Sequence, residues 1–291
     1  MAVYLGADKI AELYLGSTKI GEAYYGSTLV YRSAVTLTIN PTPADATVTF
    51  TGQGTVSGNS IAVSPNTSVT YTVSKADYTT QTATVTVTAN QTINVTLVYA
   101  PYTPNQVLYE SSTGGASSTL NIKINGKYQV ICVAGGGGGA GTVYNSNRAH
   151  RAGGGGSGSG FNCVFQLSAG SYAVAVGKGG TKATYTTSSG GTAGTGGDSR
   201  FGTCYARGGK GGKAAMGGTA GGAGGAAPTL TYTRTTTTLN KAGNAGGNVS
   251  STSTASGGAA VYSSYGKGGD GHYSNSVNGT AGYVKVVYKG A

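Results

Sequence analysis

The chain has 291 residues, enough for about two domains, with 38% hydrophobic and only 9% charged residues and a net charge of +11. This excludes a disordered polyelectrolyte, which combines low hydrophobicity with high charge. Three cysteines and no Trp, against 54 Gly and 21 Tyr, exclude a disulfide scaffold and point to a chain whose glycines have a structural purpose. The charge is lopsided. Residues 1–100 carry four Lys/Arg and five Asp/Glu, and residues 101–291 carry fifteen and three. A basic half with tyrosines suits nucleic acid, an anionic cell surface or acidic glycans, or simply keeps a glycine-rich domain soluble. Cys132, Cys163 and Cys204 have no metal-ligand spacing and are expected as buried free thiols. The start, Met1 to Gly6, lacks a signal-peptide pattern, so the protein is expected to be made in a cytosol, without membrane insertion.

Residues 3–32 repeat every ten. Tyr4, Tyr14 and Tyr24 match, as do Gly6, Gly16 and Gly26. Each unit predicts a short strand, a turn at Gly-Ala-Asp or Gly-Ser-Thr, and a second strand. Such hairpins cannot bury a core alone, so residues 1–33 are expected to act in attachment or oligomerisation. Residues 34–100 alternate Thr with Val, Leu or Ile, as in Val35–Ile39, Ser68–Val73 and Thr82–Thr88, where Ala83, Val85 and Val87 share a face. Both Thr and Val favour strands. Turns recur about every ten residues, the pattern of a β-sandwich. The series Pro43-Ala44-Asp45-Ala46-Thr47-Val48, Lys75-Ala76-Asp77-Tyr78 and Val95-Thr96-Leu97 resembles the PEGA-type immunoglobulin-like domain, with Ala76-Asp77 where that family has a glycine turn. The resemblance implies a spacer, or else a carbohydrate-facing adaptor.

Residues 101–291 begin with a linker at Pro101 and Pro104. Leu120–Ile124 alternates, Asn125-Gly126 reads as a hairpin turn, and Lys127–Val133, with little polar face, reads as a central strand. Five glycines at 135–139 follow, and further glycine blocks recur to residue 271. Collagen is excluded, because runs of four and five glycines break its period and only six prolines exist. A flexible linker is excluded, because strands are interleaved: Phe161, Cys163, Phe165 and Leu167 share one face, Tyr172, Val174 and Val176 another, and Tyr283–Lys289 closes the chain. The remaining reading is a packed array of left-handed polyglycine II helices. Lacking Cβ atoms, these approach closely enough to hydrogen-bond to one another. The expected fold is therefore all-β: hairpin repeats, an Ig-like sandwich, and a glycine-rich β domain with packed polyglycine II-type helices.

The blocks Val133 to Gly139, Val174-Ala175-Val176-Gly177-Lys178-Gly179-Gly180, Gly196-Gly197-Asp198-Ser199-Arg200-Phe201-Gly202, Ala206-Arg207-Gly208-Gly209-Lys210-Gly211-Gly212, Gly266 to Gly271 and Gly279 to Val286 resemble, in that order, the glycine-rich domain of bacteriophage tail-fibre and adhesin proteins. The N-terminal Tyr-Leu-Gly repeat is similar to repeats of phage minor tail proteins. The resemblance implies a virion protein that binds a host surface glycan or envelope protein and contacts other virion proteins. Three-fold fibres suggest a homotrimer. The rivals are a structural capsid or tail decoration protein without a receptor, and a basic RNA-binding protein; nucleic acid is not the expected partner.

No catalytic motif is found. Lys178, Lys210 and Lys267 are followed by Gly and Lys213 by Ala, so no P-loop exists, and Gly156–Gly160 lacks the acidic residue of a dinucleotide site. Asp198 and Asp270 are too few for hydrolase chemistry, and Asp198 reads as a turn residue. Arg207-Gly208-Gly209 beside Tyr205 is a single RGG-like triplet. The expectation is a non-enzyme without cofactor or metal. Three loop regions have the composition of adaptable binding surfaces or of plain solvated tips. They supply the candidate receptor-binding residues Tyr144, Asn145, Asn147, Arg148, His150 and Arg151; Tyr232 and Arg234; and Tyr262, Tyr265, His272 and Tyr273.

Overall fold

The computed structural model describes every residue except 1–3, 6–7, 10–12, 26, 142–151, 184–190, 215–220, 249–253 and 273–275. It is all-β, and it divides into two compact units, Met1–Pro101 and Tyr102–Ala291.

In the first unit each ten-residue repeat is a hairpin: β1 (Tyr4–Leu5) with β2 (Asp8–Lys9), β3 (Leu13–Leu15) with β4 (Thr18–Ile20), and β5 (Glu22–Tyr25) with β6 (Thr28–Arg32). Leu15 and Tyr25 remain 77% and 84% exposed, as thirty residues without a core require. A sandwich follows, built from β7 (Val35–Thr42), β8 (Thr47–Thr51), β9 (Thr55–Ser57), β10 (Ser60–Val63), β11 (Thr67–Ser74), β12 (Gln81–Val87) and β13 (Gln91–Thr96). One sheet runs β13-β7-β10-β9, with β13 parallel to β7, and the other β12-β11-β8. Leu37, Ile39, Ile61, Val69 and Val73 fill the core. Outward hydroxyls pair across strands, Thr70 with Thr84 at 2.7 Å and Thr72 with Thr82 at 3.0 Å. Asp77 takes the left-handed conformation, φ 67°, replacing the expected glycine, as Asp tolerates better than most residues. Of the face shared by Ala83, Val85 and Val87, only Val87 is buried, because β12 is an edge strand.

The second unit has a five-stranded sheet, β14 (Val107–Ser111), β22 (Tyr283–Gly290), β16 (Gly126–Val133), β17 (Gly160–Leu167) and β21 (Arg234–Lys241) in that order. It faces a four-stranded sheet of β15 (Ser117–Ile122), β18 (Gly170–Ala175), β19 (Ser199–Phe201) and β20 (Cys204–Ala206). Between them lie Tyr128, Val130, Cys132, Phe161, Phe165, Phe201 and Val286. The strand before Asn125-Gly126 does not pair with the one after it. β15 pairs with β18 and β16 with β17 and β22. The chain crosses between sheets there, so that Ile122 and Tyr128 both face the core, and the Asn125 side chain accepts the Ala169 N–H at 2.8 Å.

On these sheets stand, among the described residues, ten extended segments: I (134–141), II (152–159), III (176–183), IV (191–198), V (207–214), VI (221–227), VII (242–248), VIII (254–260), IX (266–272) and X (276–282). Their hydrogen bonds run between segments with a period of three, the residues per turn of polyglycine II. In segment I, Gly135 and Gly138 donate to Gly197 and Gly194 of IV, Gly136 and Gly139 to Thr280 and Val277 of X, and Gly137 and Ala140 to Gly156 and Gly153 of II, all at 2.8–3.0 Å. Its carbonyls accept from III, V and IX, through Gly180, Gly209 and Gly269 among others. Segment I is thus enclosed on all sides. Segment II is enclosed likewise by I, V, VI, VII, VIII and IX. The other eight close a ring in chain order, ending with Gly279 of X donating to Gly180 of III at 2.9 Å. Two adjoining sites of a hexagonal lattice have eight further neighbours, and the ring fills all of them. An ideal Cβ on Gly137 would fall on the Lys210 carbonyl, and one on Gly156 on the Ala223 carbonyl; the missing side chain is what lets the backbones meet.

Candidate functional site

Successive segments alternate in direction, as the descending partner numbers of segment I show. The array therefore has two different ends. At one end it joins the sheets: β16 leads into I, II into β17, β18 into III, IV into β19, β20 into V, β21 into VII and X into β22. At the other end the chain leaves at 141, 183, 214, 248 and 272 and returns at 152, 191, 221, 254 and 276. The described residues there are tied into one layer. Gly141 N–H donates to Ala183 at 3.0 Å, Ala214 to Gly191 at 2.9 Å and Ala255 to Gly271 at 2.8 Å, and the Ser276 hydroxyl donates to the Ala183 carbonyl at 3.1 Å. Ala140, Ala183, Ala193 and Ala214 form a small apolar cluster in this layer. Five chain connections thus depart from one face of a hydrogen-bonded platform.

The predicted site residues that are described divide between the two ends. Tyr144, Asn145, Asn147, Arg148, His150, Arg151 and Tyr273 lie outside the described residues. His272 ends segment IX in the platform layer, its carbonyl 2.8 Å from where a Cβ of Gly141 would stand. Tyr232, Arg234, Tyr262 and Tyr265 are at the sheet end instead. The Tyr232 ring packs against Tyr172 at 5.8 Å, Phe165 at 5.9 Å and Phe201 at 6.2 Å, and its hydroxyl accepts the Thr203 N–H at 3.2 Å. Arg234 is exposed at the start of β21, a strand that the Thr235–Thr238 run favours and that takes in part of the loop region expected around Tyr232 and Arg234. Tyr265 stacks on Tyr283 at 4.4 Å and Tyr262 on the same ring at 6.2 Å. They cover Ile131 and Val133 on the outer face of the five-stranded sheet, with Ser263 left-handed in the turn between them.

The flank of the array carries residues that sequence reasoning passed over. Exposure in the outer segments has a period of three: Lys178 and Thr181 in III, Thr192, Thr195 and Asp198 in IV, Lys210 and Lys213 in V, Ala223 and Ala226 in VI. The inward positions between them are glycine or alanine. The legible signal was a repeated X-Gly-Gly triplet with X outward. Asp198 is not a turn residue. Its Oδ1 accepts the Gly208 N–H at 2.8 Å and its Oδ2 pairs with Arg207 at 2.8 Å, while the Arg207 guanidinium lies 4.9 Å over the Tyr205 ring. Asp270 similarly accepts the Gly257 N–H at 2.7 Å. Buried Ser199 accepts the Gly177 N–H at 2.8 Å and donates to the Val133 carbonyl at 2.7 Å. Polar side chains thus stand in where the array lacks a neighbouring carbonyl.

The three cysteines are buried and free, and burial pushes the Cys132 and Cys163 thiols up, away from nucleophilic thiolate. Glu110 accepts the Tyr283 hydroxyl at 2.5 Å and pairs with Lys285 at 3.1 Å. These partners hold its carboxyl below the usual range, the tyrosine more than the lysine. Burial first and Glu110 second push Tyr283 up. Among the described residues no cluster of His, Cys, Asp or Glu suits a metal ion, and no helix is long and apolar enough to cross a membrane. What the surface offers is hydrogen bonding and positive charge.

A family model described as a glycine-rich domain matches residues 110–291, more than half of the chain. A second, described as a head fiber dimeric protein-like domain, matches residues 34–99, the stretch compared above with the PEGA-type domain. No curated protein matches the chain.

Proposed function

Because the chain belongs to the glycine-rich domain family and also matches a head fibre-like domain, we propose that it is a non-enzymatic fibre protein of a phage virion whose glycine array presents a host-binding face. The observation that carries this reading is the gathering of five chain connections at the end of the array away from the sheets. Recognition residues commonly sit on connections that a rigid scaffold positions. Two of these connections include Tyr144, Asn145, Asn147, Arg148, His150, Arg151 and Tyr273, next to His272, and these are the residues proposed to meet a surface glycan or envelope protein. The test is competition. Purified full chain is expected to block adsorption of the parent phage to its host, and a chain with Tyr144, Arg148 and Arg151 all changed to Ala is expected to block it poorly. Equal blocking by both chains, or none by either, refutes the reading.

The head fibre-like match supports a second reading, a structural decoration of the capsid without a receptor. Labelling particles with antibody to this chain separates the two: label on the head together with no effect on adsorption favours decoration. Assembly is proposed through the exposed hairpins and the 34–99 domain. The description of the matched family favours two copies over the three suggested by fibre symmetry, and the mass of the purified assembly decides.

A further inference from the structure

One line of side chains on the array flank is left unused by the loop-end reading. Segment V runs as a straight extended strand whose Gly209 and Gly212 donate to Gly135 and Gly138, so its outward residues recur every third position. Arg207, Lys210 and Lys213 occupy those positions, with Lys210 and Lys213 exposed. At about 3.1 Å per residue the cations are spaced about 9 Å apart in a line along the axis. Arg207 is half-buried, clamped between Asp198 and the Tyr205 ring. Among the described residues, Lys210 and Lys213 have no ion-pair partner. Beside the row, Thr192 and Thr195 of segment IV present exposed hydroxyls at the same levels: Thr192 bridges to Lys213, and Gly196 donates to Gly209.

We propose that this row is a binding track for a linear acidic polysaccharide carrying one carboxylate per disaccharide. The cation spacing is close to the length of an extended disaccharide, and the adjacent threonines are placed to bond sugar hydroxyls. Single-stranded nucleic acid fits less well. Its bases need free aromatic faces, whereas the Tyr205 face is taken by Arg207. The rigid backbone fixes the spacing of the charges in advance, which lowers the ordering cost of binding.

The track lies on the flank and does not depend on the loop-end reading, so adsorption can fail to be blocked while the track still binds, and the reverse. The test uses the full chain and three polymers at low salt: hyaluronan, neutral dextran and poly(U) RNA. Hyaluronan is expected to bind, with affinity falling as salt rises, and dextran is not. The Lys210→Gln/Lys213→Gln variant is expected to lose about tenfold in hyaluronan affinity with unchanged melting. Lys241→Gln/Lys289→Gln, which removes the same charge at the sheet end, is expected to lose little. Absence of hyaluronan binding, equal losses in the two variants, or tighter binding of poly(U) than of hyaluronan overturns the proposal.

Discussion

Replacing Gly137 by Ala tests the array most directly. The new Cβ would fall on the Lys210 carbonyl and stand 2.7 Å from the Gly211 nitrogen, both main-chain atoms of segment V that cannot rotate away. Segment V must move outward at that level. The bonds at risk are Gly156 N–H to the Lys210 carbonyl at 2.8 Å, Lys210 N–H to Ala223 at 2.9 Å and Gly209 N–H to Gly135 at 3.0 Å. Three buried bonds at about 0.5–1.5 kcal/mol each, less about 0.4–1 kcal/mol that Ala gains by restricting the unfolded chain, leave a destabilisation of about 0.5–4 kcal/mol. For a unit of this size that lowers Tm by about 2–4 °C per kcal/mol. Gly247 is the matched control. A Cβ there would meet only Ser256, at 3.3 and 3.5 Å, so Gly247→Ala is expected within about 0.5 kcal/mol of the parent. Calorimetry of the full chain reads both. Equal melting of the two variants refutes the close-packed array.

Three further outcomes are expected. Ser199→Ala removes a hydroxyl that accepts from Gly177 and donates to Val133; leaving buried groups unpaired costs about 1–3 kcal/mol, read as a lower denaturant midpoint. Tyr232→Ala is expected to destabilise the second unit by about 2–4 kcal/mol through lost aromatic packing, whereas Arg234→Ala leaves stability unchanged; the reverse order in thermal melts would contradict their placement. Because the folded pKa of Glu110 is depressed, its contribution to stability is present above its unfolded value near 4.5 and is lost as pH falls through the folded value. Tyr283 is raised, so its contribution is present below its unfolded value near 10 and fades as pH climbs toward the folded one. Glu110→Gln should flatten the acid limb of the melting profile below about pH 4.5, and an unaltered limb would show that the carboxyl is not responsible.

The architecture was legible where residues carry their own conformational preference. The hairpin repeats, the alternating sandwich strands, the central β16 and the apolar face of Phe161, Cys163, Phe165 and Leu167 all follow from periodicity. The glycine blocks declared a packed array because strands interrupt them. The order of packing could not be read, since one glycine block is chemically like another and only the closure of the chain decides which segments touch. The expected hairpin at Asn125-Gly126 failed for a related reason: a turn signal says that the chain bends and leaves open which sheet receives it. At the candidate site, tyrosine in a loop-like context marked Tyr232, Tyr262 and Tyr265 as binding residues, yet the same amphipathic ring that suits recognition also suits packing over a sheet. The X-Gly-Gly triplets, by contrast, encode which side chains point out.

The placement of segments I and II has a consequence for synthesis. They come first in the chain and lie at the centre of the lattice, so they leave the ribosome before any of the eight segments that satisfy their amide groups. Segment X, the last to appear, closes the ring against III, and β22, which follows it, is inserted between β14 and β16 rather than added at an edge. Neither the lattice nor the sheet can be completed from a partial chain. A ribosome stalled before residue 276 would leave segment I without X, which accepts its Gly136 and Gly139 amides. Nearly every hydrogen bond of the array joins residues far apart in sequence, a topology that folds slowly.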